Sequence, residues 1–382
     1  MKIAAICGAP NHNTGMMFVD RPLHLLMKNM GLLDSITFFC FQHDGFNKVG
    51  FNYSALTKDI DLNQFDCVLV WGDFIVSEHF LSMTQPKLLN RSNDFDYDLQ
   101  SKVLMSHFSK ADLKKVIVFG QCIFVDGRQI FSNKKYLADL KRLMEFSSLF
   151  KVRDPLSAYR AKAISDIDRN FLGVDAALLN YALEEDKFKQ LKNNIGKASD
   201  KNEIGIYFGR SKQMTRKKKI LGYYLKYKLK GLDFKWIPWL KNKQQSKEFF
   251  KFASEVSPET DIDYIKEILK CKLIITDTYH LTLMSWSLGV PCICFGNAAE
   301  DFKSTVHDKK KEIFFNSNYI TDFYFYNEKF YRYLKNGTLS DKILNTISDD
   351  KIGSLVSDKI KRVSTKSLIE IKTQINSINN EN

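Results

Sequence analysis

Apolar and polar positions alternate along the chain in a way that predicts repeated pairs of strands and helices. Short apolar runs rich in β-branched residues indicate buried strands, and apolar residues at every third or fourth position indicate helices. In the first half the predicted strands are Lys2–Cys7, Ser35–Phe41, Cys67–Trp71, Val116–Gln121, Leu149–Val152 and Asn170–Val174. The helices predicted between them are Val19–Met30, Asp98–Ser109, Tyr136–Ser147 and Ser157–Ser165. This alternation predicts a parallel, doubly wound α/β sheet.

The same alternation starts again at Ile204 and predicts a second α/β domain. Its predicted strands are Ile204–Phe208, Phe234–Ile237, Leu273–Ile275, Pro291–Phe295 and Glu312–Phe315. Its predicted helices are Lys217–Lys230, Ser246–Ser254 and Ile262–Lys270. Segment 184–203 has little apolar periodicity beyond one short helix and is predicted as the linker, whereas Asp341–Ser377 predicts one or two amphipathic helices.

We therefore predict an α/β protein with two Rossmann-like domains, which resembles the GT-B architecture with its interdomain cleft. The predicted parts are an amino-terminal acceptor-side domain, a linker, a carboxyl-terminal donor-side domain and carboxyl-terminal helices, at 1–183, 184–203, 204–340 and 341–382. By analogy with GT-B proteins, the last helices are expected to cross back to the first domain.

A single turn within residues 271–297 concentrates polar residues between two predicted strands. The four side chains of this turn are those of Asp277, Thr278, Tyr279 and His280. Ligands of α/β sheets bind at the carboxyl ends of strands, beside helix amino termini whose free N–H groups favour anions. The turn is therefore a candidate anion site. A purely structural turn, with Thr276 or Asp277 as the N-cap of the helix, is the alternative from spacing alone.

The sequence TDTYH at 276–280, followed by an apolar helix, a Gly-x-Pro stop and a strand, resembles the signature of the polysaccharide pyruvyltransferase family. The family turn is TDSFHG-like or SRLHG-like and precedes an ALGVP-like segment. This chain follows the first branch, with Thr278 where the second branch has arginine. Losing a bidentate guanidinium contact costs ~1.5–3 kcal/mol. Either another cation therefore binds the anionic donor substrate that the family uses, or this chain uses a different donor substrate.

A second match supplies a candidate arginine. The segment KVRDPLS at 151–157 resembles the family's V-R-D/E-x-x-S element, which implies that Arg153 binds the carboxylate or phosphate of the donor. Pairing of Arg153 with Asp154 or another acid is the alternative. Asp175 lies in a segment that resembles the family's V-x-D-P-A element, which implies a supporting role for Arg153 or His280.

Loops at other predicted strand ends supply the remaining candidates. The candidate acceptor-binding residues are Asn13, Thr14, Gly15 and Gln121. The first three resemble a Gly- and Asn-containing family loop, and Gln121 lies in an FGQCI segment that resembles the family's GQSIG-like turn. The alternative for residues 13–15 is a purely structural turn. The alternative for Gln121 is that its side-chain amide only hydrogen-bonds a nearby loop backbone. Asp73 is predicted as a base or sugar-hydroxyl acceptor, and Arg210 as a cap for a donor phosphate.

Composition narrows the class of protein. The chain has 382 residues, 44% of them apolar, and a net charge of +13 that suits nucleic acid, an anionic membrane or anionic substrates. Seven cysteines without a C-x-x-C pair predict buried free thiols, with neither metal nor disulfide. No apolar run approaches the ~18 residues of a membrane span, and MKIAAICGAP is too short for a signal peptide. We therefore expect a cytoplasmic protein.

The segment Arg210–Lys243 is densely basic with interleaved aromatic residues. Peripheral contact with an anionic membrane, at the inner face of the cytoplasmic membrane, is one interpretation. A nucleic-acid groove is a second, less favoured one, and an ordinary solvated helix is the third. A lipid-linked oligosaccharide acceptor would favour the membrane, and the oligomeric state is not predicted.

The family resemblance implies a bacterial enzyme of capsule or exopolysaccharide biosynthesis that forms a pyruvate ketal on a sugar. Its donor substrate would be phosphoenolpyruvate, its acceptor a glycan or lipid-linked oligosaccharide, and no cofactor or metal is expected. Donor contacts are expected from Arg153, Arg210, Asp277, Thr278 and Tyr279. His280 would be the acid or oxyanion partner, and Asp73 the base of the attacking hydroxyl.

Two other functions stay open from the residues. The first is a GT-B glycosyltransferase that uses a nucleotide-activated sugar, with His280 and basic residues on the diphosphate and Asp73 or His12 as base. The second is a basic glycan- or nucleic-acid-binding protein without catalytic activity. A continuous basic stripe without a cleft would favour the second, whereas Arg153 and His280 at strand ends of two domains favour an enzyme.

Overall fold

The computed structural model divides the chain into two compact α/β units. Unit 1 comprises Met1–Asn11, Met16–Leu183 and Val363–Asn382, and unit 2 comprises His12–Gly15 and Glu184–Arg362. The described residues are 1–8, 14–40, 47–48, 51–72, 75–76, 101–123, 134–196, 203–209, 215–239, 245–298, 306–349 and 351–381. Each unit is built on one predominantly parallel sheet.

Unit 1 contains a seven-stranded sheet in the order β3-β4-β2-β1-β5-β6-β7. The strands are β1 Ile3–Cys7, β2 Ile36–Cys40, β3 Asn47–Lys48, β4 Phe51–Ala55, β5 Cys67–Trp71, β6 Val116–Gln121 and β7 Leu149–Val152. Its helices are α1 Thr14–Asn29, α2 Lys134–Phe146, α3 Pro155–Ile164 and α4 Leu179–Leu183. Every residue of β1, β5 and β6 is buried. Helices cover both faces of parallel sheets, so these strands are continuous apolar runs.

Unit 2 contains a six-stranded parallel sheet in the order β10-β9-β8-β11-β12-β13. The strands are β8 Glu203–Tyr207, β9 Asp233–Trp236, β10 Ser254–Glu255, β11 Cys271–Thr276, β12 Cys292–Gly296 and β13 Tyr324–Tyr326. The helices up to β13 are α5 Glu185–Gly196, α6 Thr215–Lys228, α7 Asp261–Leu269, α8 Tyr279–Ser287 and α9 Val306–Ser317. Helix α5 lies within the segment that was predicted as a linker.

In each sheet the strand order reverses beside the first strand of that unit. In unit 1, β2 pairs with one side of β1 and β5 with the other. In unit 2, β9 pairs with one side of β8 and β11 with the other. Ligands of open α/β sheets bind at such reversals, outside the carboxyl ends of the strands. In unit 2 the order reverses between β8 and β11, and the turn that follows β11 lies at the carboxyl end of that strand.

Most predicted strands are confirmed within a residue or two, but three predicted elements are wrong. Asn170–Val174 is not a strand, because Leu172 forms only an isolated bridge to Val152. Glu312–Phe315 lies inside helix α9. Ser246–Ser254 is a 3₁₀ helix at Gln245–Phe250, and its last residue begins β10. The predicted helix at 98–109 lies partly outside the described residues.

Three helices follow β13, namely α10 Phe330–Lys335, α11 Thr338–Ser348 and α12 Lys351–Glu381. The boundary between the two units falls within α12, at Arg362 and Val363. In its unit 1 part, Leu368, Ile371, Ile375 and Ile378 are buried. Glu370 pairs with Lys151 of β7, with 3.1 Å between Oε2 and Nζ. These residues make the end of α12 an integral part of unit 1.

All seven cysteines are buried free thiols, as predicted. Burial raises the pKa of Cys67 and of Cys271 to about 12. Because the thiolate is the reactive form, these side chains stay protonated and inert near neutral pH. Among the described helices, none has the length and apolar composition required to cross a membrane.

Candidate functional site

The candidate turn lies at the end of β11, where the sheet of unit 2 reverses its strand order. Thr276, Asp277 and Thr278 are all buried. The N-cap position of helix α8 is Thr278, one or two residues later than predicted. The Thr278 N–H donates to the Thr276 hydroxyl oxygen at 3.1 Å, so the tight turn closes on itself. The next two residues, Tyr279 and His280, form the first turn of α8.

The Asp277 carboxylate joins the two loops that flank the strand reversal. Its Oδ1 accepts a hydrogen bond from the Gly209 N–H at 2.9 Å, just beyond β8. Its Oδ2 lies 3.4 Å from the Lys218 ammonium, and both side chains are almost fully buried. Burying a carboxylate is costly unless it is paired and hydrogen-bonded. Asp277 therefore holds the site together, while its direct contact with a donor stays a prediction.

Lys311 is a buried lysine that fixes the backbone of the turn. Its ammonium donates to the carbonyl oxygens of Asp277 and Phe295, both at 3.0 Å. It also forms an ion pair with Asp308 at 2.8 Å. A lysine ammonium has three N–H donors, so these contacts use its full capacity. Lys311 thereby ties the ends of β11 and β12 to helix α9.

Two further buried lysines lie near the turn. Lys218 donates to the Ser246 hydroxyl at 3.0 Å in addition to its pair with Asp277. The Lys310 ammonium lies 5.7 Å from the centroid of the Tyr279 ring, within cation–π range. Among the described residues, the buried carboxylates beside these lysines and Lys311 are those of Asp277 and Asp308. Three lysines are therefore buried at this end of the sheet.

Sequence reasoning missed all three lysines. Lys310 and Lys311 lie in a helix, VHDKKKEIFFNS, whose polar composition is typical of a solvated surface. Lys218 lies in the basic run of α6 and was grouped with its exposed neighbours. The spacing of Asp308 and Lys311, three apart on one helix face, is the signal that could have indicated a pair.

His280 lies against the start of helix α1, whose residues 14 and 15 belong to unit 2. A Cβ atom built on Gly15 would lie only 2.5 Å from His280 Nδ1 and 3.0 Å from its Cβ. Thr14 is buried and its side chain forms a hydrogen bond with Tyr264. The structure therefore brings Thr14 and Gly15 together with His280. The glycine is required there for close packing against the imidazole.

We expect the substitution Gly15→Ala to destabilise the protein, although alanine is ordinarily favoured over glycine in a helix by about 1 kcal/mol. The added methyl group meets the imidazole at 2.5 Å, and overpacking of this kind costs about 1–3 kcal/mol. A double-mutant cycle with His280→Ala, followed by chemical denaturation, measures the coupling. In the His280→Ala background, Gly15→Ala should become neutral or stabilising. A Gly15→Ala effect that is the same in both backgrounds would contradict the contact.

In unit 1, Arg153 is a wholly buried guanidinium between two carboxylates. Its Nε lies 3.5 Å from Asp154 Oδ2, and its Nη1 lies 3.7 Å from Asp175 Oδ2. Asp154 is also the N-cap of α3 and accepts from the Ser157 N–H at 2.8 Å. Ser157, where the predicted helix began, is thus inside α3. The alternative considered for Arg153, pairing with Asp154 or another acid, is therefore observed. A contact of Arg153 with a donor substrate stays a prediction.

The Gln121 side chain is fully buried at the end of β6. Its Nε2 donates to the Gly72 carbonyl oxygen at 2.7 Å, and its Oε1 accepts from the Val76 N–H at 3.3 Å. The amide therefore supports the loop that follows β5. Contact with an acceptor stays a prediction. Four further site candidates lie outside the described residues, namely His12, Asn13, Asp73 and Arg210.

Comparison with known proteins gives one family match and several structural similarities. A family model described as "Polysaccharide pyruvyl transferase" matches residues 22–298. The range includes Arg153 and the turn at 276–280. The chain matches no curated protein.

Among solved structures, the UDP-GlcNAc 2-epimerase from Neisseria meningitidis bound to UDP-GlcNAc is similar, with 12% identity and a TM-score of 0.54 over 98% of this chain and 100% of that chain. The S. aureus MnaA–UDP structure has 13% identity and a TM-score of 0.54, over 98% and 97% of the two chains. A putative UDP-N-acetylglucosamine 2-epimerase from Listeria monocytogenes has 11% identity and a TM-score of 0.51, over 100% and 97%. At these identities the similarities establish the fold alone, which is the GT-B fold.

Proposed function

Because the chain belongs to the polysaccharide pyruvyl transferase family, we propose that it transfers a pyruvyl unit from phosphoenolpyruvate to two hydroxyls of a glycan sugar. The family makes the protein a glycan-modifying transferase, and the donor and the ketal product are our proposal. The observation that carries it is the turn at 276–280, which lies inside the matched range and at the strand reversal of unit 2. The acceptor is proposed to be a glycan or a lipid-linked oligosaccharide.

The reaction requires one proton to be added at carbon and two to be removed from hydroxyls. The methylene carbon of phosphoenolpyruvate gains a proton, and the two sugar oxygens bond to the neighbouring carbon as its bond to the phosphate oxygen breaks. Of the two hydroxyl protons released, one balances the proton on the new methyl group and the other leaves with inorganic phosphate. An acid, a base and cations for the carboxylate and phosphate are therefore needed.

His280 is the proposed acid or oxyanion partner. It is half-buried in the first turn of α8, packed against Gly15. The N-terminus of α8, a helix of nine residues, favours an anion beside it. The buried cations Lys218, Lys310 and Lys311 lie beside the turn, and cations near a site favour a phosphate or carboxylate there. Arg210 as a further donor contact and Asp73 as the base complete the proposal.

Thr278 supports one alternative, a GT-B glycosyltransferase that uses a nucleotide-activated sugar. Where the SRLHG-like branch of the family has an arginine, this chain has the neutral hydroxyl of Thr278. A neutral hydroxyl binds a small trianion such as phosphoenolpyruvate less strongly than a guanidinium does. In that case His280 and the helix N-terminus would hold the diphosphate.

Ligand-dependent thermal unfolding distinguishes the two donors. The wild-type protein is heated with phosphoenolpyruvate, with a panel of nucleotide sugars, and alone. A ligand at 100 times its dissociation constant stabilises the folded state by about 2.7 kcal/mol. We expect phosphoenolpyruvate to raise the melting temperature, and His280→Asn to reduce that shift far more than the exposed-site control His107→Asn. Stabilisation by a nucleotide sugar alone would overturn the pyruvyl donor and support the glycosyltransferase.

A further inference from the structure

One face of helix α6 is exposed and presents only basic and aromatic side chains. The helix sequence TRKKKILGYYLKYK contains six basic residues and no acidic one. The exposed residues of this face are Arg216, Lys219, Tyr223, Lys226 and Tyr227, and Lys230 continues it in the following turn. Spacings of three, four and seven place them on one side of the helix. We call these six residues the α6 stripe, which is about 20 Å long at a rise of 1.5 Å per residue.

The two tyrosines of the α6 stripe are held in a fixed, exposed arrangement. Tyr223 is 55% exposed and Tyr227 is 67% exposed. Their rings are stacked with centroids 6.3 Å apart and planes within 8°, and the Lys226 ammonium lies 5.3 Å from the Tyr227 centroid. Beside the stripe, α6 packs closely at Gly222, where an added Cβ would lie 2.1 Å from the Phe249 carbonyl oxygen.

The α6 stripe carries four basic side chains and no acidic one. Within the described part of the chain, Lys219, Lys226 and Lys230 have no carboxylate within ion-pair distance. Helix α5 differs, because Lys187 and Lys189 pair with preceding glutamates at 3.1 and 2.6 Å. A cavity of about 180 Å³ beside the stripe is lined by Lys219, Tyr223 and Lys226 and also by one acidic residue, Glu248, and one further basic residue, Lys251. The stripe is therefore a surface of net positive charge that attracts anionic molecules.

We propose that the α6 stripe binds the anionic surface of a lipid bilayer and lies in its headgroup layer. Lysine and arginine side chains are attracted to anionic headgroups, and the amphipathic tyrosine ring suits the boundary between headgroups and acyl chains. The large apolar side chains that are exposed on α6 are its two tyrosines alone, among described residues. The helix therefore adsorbs on the headgroups without deep insertion. This proposal does not depend on the identity of the donor substrate.

Vesicle co-sedimentation of the full chain tests the proposal. Vesicles of phosphatidylcholine alone are compared with vesicles that contain 30% phosphatidylglycerol, in about 0.1 M salt. We expect clear partitioning to the anionic vesicles only. The triple variant K219Q/K226Q/K230Q should lower the partition coefficient at least tenfold, since each cation contributes roughly fivefold. The pair Y223A/Y227A should lower it severalfold without changing its salt dependence.

A matched triple variant separates the α6 stripe from the general charge of +13. K58Q/K114Q/K134Q removes the same charge from exposed lysines of unit 1 and should keep the partition coefficient within about threefold. An equal loss in both triples would overturn the proposal, as would equal binding to neutral and anionic vesicles. Binding of a single-stranded oligonucleotide through the stripe, in the absence of vesicle binding, would also overturn it and assign the stripe to nucleic acid.

Discussion

Replacing Arg153 with methionine is expected to lower the free energy of unfolding by about 3–5 kcal/mol, although no ligand is present. The guanidinium is fully buried and lies within 4 Å of the carboxylates of Asp154 and Asp175. Removing it takes the guanidinium away from two buried carboxylates, and breaking a buried ion pair from one side costs this much. Equilibrium denaturation in urea, compared with wild type at the same pH, measures the effect.

The control for this effect removes one of the carboxylates together with the arginine. Asn is as good an N-cap as Asp, so Asp175→Asn keeps an acceptor for the Ala177 N–H, which now bonds Asp175 at 3.0 Å. The double variant R153M/D175N should therefore be more stable than R153M. The exposed-site control Arg332→Met should change stability by less than about 0.5 kcal/mol. If R153M is as stable as wild type, the pairs are incidental and the guanidinium is available for a ligand.

The second large effect is expected on turnover. If His280 is the proton donor of pyruvyl transfer, His280→Asn should lower kcat about 10²- to 10⁴-fold, the usual contribution of a positioned acid. KM for phosphoenolpyruvate should rise by a much smaller factor, because the imidazole contributes to donor binding while the helix N-terminus and the cations remain. Phosphate release in the presence of a glycan acceptor measures both constants. The fold should persist, since His280 is only half-buried.

The control variant for His280 is His107→Asn, which alters an exposed histidine of unit 1 and should keep wild-type kcat. A His280→Asn enzyme with wild-type kcat and a raised KM would assign the imidazole to binding rather than to proton transfer. A matching loss in both histidine variants would point to damage of the fold and remove the case for His280.

The parallel strands were predictable because burial on both faces makes each of them a short apolar run between polar turns. Phe51–Ala55, FNYSA, was missed because this strand mixes polar and apolar residues next to the antiparallel edge. Tyr324–Tyr326 was missed because three residues give no periodicity. Glu312–Phe315 was assigned to a strand because two adjacent phenylalanines resemble one, yet they belong to the buried side of α9.

In the candidate site, local features could be predicted from the sequence, whereas long-range contacts could not. The turn at 276–280 was found because it is local, with strand, polar residues and helix in succession. The contacts of Lys218 and Lys311 with Asp277 were not found, because they join residues 59 and 34 positions apart. Likewise, the contact between Gly15 and His280 joins residues that are 265 positions apart in the sequence. Such contacts depend on the tertiary fold and leave no pattern in a single sequence.

The carboxyl-terminal half of α12 also affects how the protein is made. Unit 1 includes residues up to Leu183 and then, from Val363 onward, the buried isoleucines of α12. A ribosome adds about 5–20 residues per second, so Val363 is synthesised roughly 9–36 s after Leu183. Throughout that interval the nascent chain exposes the apolar surface that Ile371 and Ile375 later cover. Premature release of the chain from the ribosome would leave that surface open to aggregation, even though every strand of unit 1 had already been made.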